Sequence, residues 1–209
     1  VTRRLQRGIY LITEHERLAF AEVFAITQSV IGSISALQYR NKSTDNKLKH
    51  MQASELQTLC NDHQVPFIIN DNIDLAIELG ADGVHLGRED TGCVEARRRL
   101  GQHKLIGVSC YNEILRADQA VADGASYIAF GALFPTSTKA NAVRASSDLI
   151  QQAKQRYTVP VVAIGGITTA NCAAAIDAGA DLLAVVSSVY LADDPVAVIH
   201  TFNQLMTKT

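Results

Sequence analysis

An α/β fold, closed as one (β/α)8 TIM barrel in a single domain over residues 1–209, is predicted by three features of the sequence. Short β-rich runs alternate with stretches of helical period. Several of these runs are apolar almost throughout, as in Val161-Val162-Ala163-Ile164, the pattern of a parallel strand covered on both faces. The third feature is an internal repeat: Ala76-Ile77-Glu78-Leu79-Gly80-Ala81, Ala120-Val121-Ala122-Asp123-Gly124-Ala125 and Ala175-Ile176-Asp177-Ala178-Gly179-Ala180 share one pattern. In each, a helix ends at a glycine able to take a left-handed cap conformation, and a strand begins within a few residues.

Taken in order, strands fall at 8–13, 34–39, 66–70, 83–86, 104–109, 126–131, 160–165 and 181–187. Pro66 and Pro160 sit at strand starts, where a missing N–H breaks no ladder. Helical stretches fall at 50–63, 73–80, 94–100, 114–123 and 171–179, and Pro195 fits the first turn of a closing helix. The repeat precedes the fourth, sixth and eighth strands. It therefore recurs every second βα unit, as alternate strands supply alternate side-chain layers in such a barrel. Eight strands leave about 26 residues per unit, lean but sufficient. An open doubly wound sheet would carry a Gly-rich turn after its first strand, and Thr13-Glu14-His15-Glu16 has no glycine. Arg97-Arg98-Arg99 reads as a solvated helix face.

Composition narrows the function. With 47% apolar and 19% charged residues and a formal net charge of −2, the chain is neither disordered nor basic enough for a nucleic-acid or membrane-surface partner. No apolar run approaches the ~18 residues of a membrane span. The segment Val1-Thr2-Arg3-Arg4-Leu5-Gln6-Arg7 has no apolar stretch behind its basic residues, unlike a secretory signal. Without an initiator Met, the chain reads as trimmed or as part of a longer product. Cys60, Cys93, Cys110 and Cys172 form no Cys-x-x-Cys pair, which suits reduced thiols in a cytoplasmic protein. Small-molecule substrates are expected, and a homo-oligomer is left open.

In a parallel barrel, chemistry collects at the C-terminal strand ends. After the second strand comes Gln38-Tyr39-Arg40-Asn41-Lys42, where residues 38, 40 and 42 share a face of an extended chain. Two cations converging there suit a phosphate or diphosphate. Asn70-Asp71-Asn72 and Gly87-Arg88-Glu89-Asp90 come after neighbouring strands, so Asp71 and Asp90 can approach one another. Two carboxylates beside a cationic rim suggest a hard dication, Mg²⁺ first, with substrate oxygens completing its shell. Asp71 alone equally suits a helix N-cap. Farther on, Ser109 ends the fifth strand, and a hydroxyl-rich loop, Pro135-Thr136-Ser137-Thr138-Lys139, comes after the sixth. Gly165-Gly166 after the seventh strand and Val186-Ser187-Ser188 after the eighth match the recurrent phosphate site of such barrels. Two anion sites in one mouth imply a two-substrate reaction. No Ser-His-Asp or Cys-His arrangement stands out, and His85 reads as a hydrogen-bonded residue facing the barrel interior.

These segments, with Gly83-Val84-His85-Leu86 and Gly107-Val108-Ser109, resemble the thiamine-phosphate synthase family over nearly the whole chain. The resemblance implies a transferase of thiamine biosynthesis. It would join 4-amino-5-hydroxymethyl-2-methylpyrimidine diphosphate to 4-methyl-5-(2-phosphooxyethyl)thiazole, releasing diphosphate. It implies that Gln38, Arg40, Lys42, Asn70, Ser109 and Lys139 meet the pyrimidine diphosphate, with Tyr39 and Asn41 in the same substrate-binding segment. Of these, Arg40, Lys42, Ser109 and Lys139 would be catalytic. Asp71 and Asp90 would bind Mg²⁺, and Thr136, Ser137, Thr138, Gly166, Val186 and Ser187 would hold the thiazole phosphate. Two departures stand out: Arg88 where the family usually has Gln, and Thr91-Gly92 where Leu-Pro is common. Alternatives are a thiazole tautomerase-type sister barrel, a non-catalytic phosphate-ligand domain cut from a larger fusion, and a phosphosugar isomerase or aldolase. The sister barrel would not need the cationic second-strand end with both aspartates. The isomerase or aldolase would want a lysine or paired carboxylates on a strand end.

Overall fold

A computed structural model describes residues 3–135 and 143–207. Eight parallel strands pair in chain order, and the eighth closes on the first. They are β1 (Gly8–Ile12), β2 (Ala36–Tyr39), β3 (Phe67–Asn70), β4 (Gly83–Leu86), β5 (Leu105–Tyr111), β6 (Tyr127–Phe130), β7 (Val161–Ile164) and β8 (Leu182–Val185). Around them run α1 (Phe20–Val30), α2 (Asn46–Asp62), α3 (Ile73–Leu79), α4 (Cys93–Leu100), α5 (Ile114–Ala122), α6 (Ser147–Arg156), α7 (Ala173–Asp177), the short α8 (Ser187–Tyr190) and α9 (Pro195–Thr207). The barrel class expected from the sequence is the one observed.

Period-two alternation divides each strand between two cores. Ile9 and Leu11 face the helices, whereas Tyr10 and Ile12 join Ala36, Ile68, Leu105, Tyr127, Ala129, Val162, Leu182 and Ala184 inside the barrel. Gly107 sits in the interior layer opposite a large ring: a Cβ there would lie 2.0 Å from Tyr127 Cζ. The absent side chain is what admits the tyrosine.

The repeat has a structural role at the N-terminal face. Gly80, Gly124 and Gly179 all take positive φ (67°, 89° and 91°), as a left-handed helix exit requires. Two residues beyond each glycine, a side chain accepts an N–H from the first or second residue of a neighbouring strand. Asp82 Oδ2 accepts from Phe67 at 2.9 Å, Ser126 Oγ from Ile106 at 3.1 Å and Asp181 Oδ2 from Val161 at 2.8 Å. Each acceptor also meets a cation: Arg3 at 3.0 Å, Arg97 at 3.0 Å and Lys154 at 2.7 Å respectively. Arg97 is therefore not the solvated residue expected. Its guanidinium also donates to the Gly101, Lys104 and Gly124 carbonyls.

Helix boundaries are set by their caps. α2 starts at Asn46, four residues before the expected start, because Asp45 Oδ1 accepts from the Leu48 N–H at 3.0 Å. Asn72, not Asp71, caps α3, accepting from Leu75 N–H at 3.0 Å. Asp71 is thereby released from capping. The eighth strand stops at Val185, and the expected extension to 187 instead turns into α8.

Candidate active site

A cavity of about 1150 Å³ opens at the C-terminal ends of the strands. Gln38, Arg40, Asn70, Ser109, Gly166, Val186 and Ser187 all line it. They come from β3 and β5, from β2 and the residue just after it, from the turns after β7 and β8 and from the start of α8, so residues up to 149 positions apart in the chain share one chamber because the barrel closes. Thr136, Ser137, Thr138 and Lys139 lie outside the described residues.

Lys42, Asp71 and Asp90 do not line this cavity but form a cluster just outside it, beyond the ends of β2, β3 and β4 and next in the chain to its lining residues Asn70 and Glu89. Lys42 Nζ is ion-paired to Asp71 Oδ2, and the Asp71 and Asp90 carboxyls are within hydrogen-bonding reach of each other. Asp90 is fixed from its own turn, where Oδ2 accepts the Gly87 N–H at 2.5 Å. Asp71 N–H donates to the His85 carbonyl at 2.9 Å, and its φ of 63° turns the chain toward the rim. Partial burial and the neighbouring Asp71 raise the Asp90 pKa above the ordinary carboxyl value. At Asp71 burial pushes upward, but hydrogen bonds from Asp90 and Lys42 and the Lys42 charge hold its pKa below the usual value. Two carboxylates thus compete for one ammonium, which leaves the site rich in negative charge. Among the described residues no three His, Cys, Asp or Glu side chains converge to hold a metal unaided.

Other predicted residues are placed differently. The Tyr39 ring lies in the outer core, its hydroxyl donating to Gln52 Oε1 at 3.0 Å. Burial pushes that phenol up to about 12. Asn41 donates to the same oxygen at 2.9 Å and accepts from the Ser43 N–H at 2.8 Å. Neither lines the cavity, since odd positions of this segment face the helices. The Arg40 guanidinium lies on Glu16 Oε1 at 3.1 Å. Arg88 pairs with Glu113, its guanidinium carbon 4.9 Å from the Tyr111 ring centroid.

On the opposite side, Gly165 and Gly166 floor the chamber at φ of 99° and 63°. A Cβ on Gly166 would lie 2.3 Å from the Pro135 carbonyl oxygen. The chain after β6 is tied down beside them, with Leu133 and Phe134 N–H donating to the Ile164 and Gly165 carbonyls, both at 3.0 Å. Ser188 Oγ and Glu14 Oε2 are buried in residues lining the chamber and make no hydrogen bond among the described residues. Glu14, Tyr10 and Tyr111 line the chamber without having been singled out from the sequence. Alternation within the first strand was the available signal for Tyr10.

The closed barrel, its polar C-terminal chamber and the paired carboxylates at the rim define a TIM-barrel enzyme. Comparison with known proteins is specific. A family model described as thiamine monophosphate synthase matches residues 9–189. A thiamine-phosphate synthase from Xanthomonas campestris pv. campestris (strain 8004) is 48% identical over 202 residues, covering 97% of each chain. One from Azoarcus sp. (strain BH72) is 50% identical over 190 residues, covering 90% of this chain and 92% of its own. A solved thiamine phosphate pyrophosphorylase from Pyrococcus furiosus superposes with a TM-score of 0.87 at 27% identity, covering 98% of both chains. The 3-hexulose-6-phosphate synthase of Salmonella typhimurium, 18% identical with a TM-score of 0.72, covers 96% of this chain and 99% of its own and shares the fold alone. The chain belongs to the thiamine monophosphate synthase family and is a transferase of thiamine biosynthesis.

Proposed function

We propose that this chain couples 4-amino-5-hydroxymethyl-2-methylpyrimidine diphosphate to 4-methyl-5-(2-phosphooxyethyl)thiazole, giving thiamine monophosphate and diphosphate. The observation that carries the reading is the Lys42–Asp71–Asp90 cluster standing at the mouth of the chamber that Gly166 and Ser187 line on the other side. One side suits a diphosphate with its metal, and the other suits a phosphate monoester.

Mg²⁺ fits the donor set. Asp71 and Asp90 offer hard carboxylate oxygens, too few to enclose the ion, and Mg²⁺ ordinarily takes one or two carboxylates and keeps water or substrate oxygens. When bound, it supplies positive charge to the departing diphosphate. Lys42 and Arg40, from the end of β2, add charge on the same side and favour cleavage over simple binding, because charge grows on the diphosphate as the bond breaks. The electron-rich aminopyrimidine supports the cationic methylene carbon left behind. The thiazole nitrogen carries no proton when it attacks, so no general base is required, in keeping with a chamber whose described residues form no Ser-His-Asp arrangement. Gln38, Asn70 and Ser109 orient the pyrimidine, and the Gly166, Val186 and Ser187 wall holds the thiazole phosphate. Lys139 and the hydroxyls of Thr136, Ser137 and Thr138 complete the two anion sites in this reading.

Four free, buried cysteines support a reducing, cytoplasmic setting. Among the described residues no helix is long and apolar enough to cross a membrane. Incubation with both substrates and Mg²⁺, assayed for thiamine monophosphate, tests the reading. Asp90→Ala is expected to cut turnover by about 10²–10³ with an unchanged melting temperature. Wild-type turnover in that variant would remove Asp90 from the chemistry.

A further inference from the structure

Five side chains from five strands make one continuous hydrogen-bonded path across the barrel interior. Gln38 Nε2 donates to Tyr10 Oη at 2.8 Å, Tyr10 Oη meets Tyr127 Oη at 2.7 Å, and Tyr127 Oη meets His85 Nδ1 at 3.2 Å. His85 Nε2 meets Ser109 Oγ at 2.9 Å. Gln38, Tyr10, His85 and Ser109 all line the chamber, although Tyr10 is only 1% exposed, and Tyr127 behind them is 0% exposed. We infer that Tyr10, Tyr127 and His85 are positioning residues, forming a polarised relay that fixes which hydrogen-bonding face Gln38 and Ser109 turn to the substrate. The inference rests on the proposed function, in which those two side chains meet the pyrimidine.

The polarity is set link by link. An amide nitrogen only donates, so Tyr10 accepts from Gln38 and spends its single proton on Tyr127. Tyr127 in turn donates to Nδ1 of His85. An imidazole accepting at Nδ1 carries its proton on Nε2, which donates to Ser109 Oγ. The Ser109 proton is left to point into the chamber, and Gln38 Oε1 is left as an acceptor. Burial enforces this order, since a buried polar atom without a partner costs as much as several ordinary surface contacts. Gly107 belongs to the device, because any side chain there would displace the Tyr127 ring. An acceptor at one end and a donor at the other match an aminopyrimidine, whose amine donates and whose ring nitrogens accept. They mismatch an oxo-pyrimidine, in which those roles are exchanged.

The test is a double-mutant cycle read in the dissociation constant of the pyrimidine diphosphate, measured by calorimetry with Mg²⁺ on the intact chain. Tyr127→Phe keeps the ring and removes the link. It is expected to weaken binding about tenfold in the parent and less than about threefold in a Ser109→Ala background, where the serine end of the path has no hydroxyl left to position. Tyr10→Phe breaks the path beside Gln38, so it is paired with a Gln38→Ala background, where its loss is expected to shrink in the same way, and it decides the matter if Tyr127→Phe does not fold. Losses of equal size in both backgrounds, or no loss, overturn the relay. Thiamine monophosphate formation by the parent is assayed in parallel: its absence overturns the underlying reading, whereas its presence with additive losses overturns the relay alone.

Discussion

Asp71 combines a left-handed backbone, φ 63°, with a carboxylate held ionised beside Lys42 and Asp90. Non-glycine residues in that conformation concentrate at functional sites, where the surrounding structure imposes them. Asp71→Gly suits the same φ without strain. It should melt within a few degrees of the parent while losing turnover by about a hundredfold or more; thermal melts and product assays on one preparation separate the two effects. His15 carries a different signal. Its ring stacks on Phe20 and meets Tyr39 edge-on, Nε2 is buried without a hydrogen-bond partner among the described residues, and burial lowers its pKa to about 4. In the unfolded chain the same ring titrates near 6.5. Between these values the unfolded state binds the extra proton, so stability from this residue is present above pH 6.5 and lost as pH falls through 4. The expected result is that denaturant midpoints fall less steeply between about pH 7 and 4.5 in His15→Phe than in the parent. Parallel curves would show that His15 titrates alike in the folded and unfolded states.

At the scale of elements, the repeated glycine exits were readable because a left-handed helix end calls for glycine, and glycine is visible in any sequence. The strand-pinning side chains just beyond those exits were not readable. Asp82 and Asp181 hold the first N–H of β3 and β7 and Ser126 the second of β5, and nothing local distinguishes them from ordinary loop polar residues. Asp181→Ala should cost about 1–3 kcal/mol, leaving the Val161 N–H and the Lys154 ammonium without their partner. Turnover per folded molecule is expected to stay at the parent level, since this face lies opposite the chamber. Chemical denaturation with an activity check decides it. The start of α2 escaped detection for a related reason: Asn46-Lys47-Leu48-Lys49 is too polar to show a helical period, and Asp45 fixes the boundary by a single hydrogen bond. The assignment of Arg97 to solvent failed because a charge run reveals composition, not the carbonyls waiting across the next loop.

For the whole molecule, the barrel was legible because closure leaves a global trace: eight buried parallel strands must be apolar and regularly spaced. The site was legible in part. Strand ends located the chamber, and Asp71, Asp90 and Lys42 assemble as their positions suggested. Tyr39 and Asn41 were grouped with Gln38 by the family resemblance, yet alternation sends them to Gln52 on the helix side. Tyr10 and Tyr127 carried no sequence signal as a pair, and His85 read only as an interior hydrogen-bonded residue, because their meeting depends on barrel closure, which brings together strands 117 residues apart in sequence. The central claim is that charge gathered at one side of this mouth drives diphosphate away while the other side holds the nucleophile. It is tested most directly by titrating Mg²⁺ into chelator-treated protein with both substrates and monitoring thiamine monophosphate and diphosphate together. Equimolar products that appear only with Mg²⁺, and are lost in Asp71→Ala and Asp90→Ala, are the predicted result. Undiminished product in excess chelator, or in both variants, would contradict it.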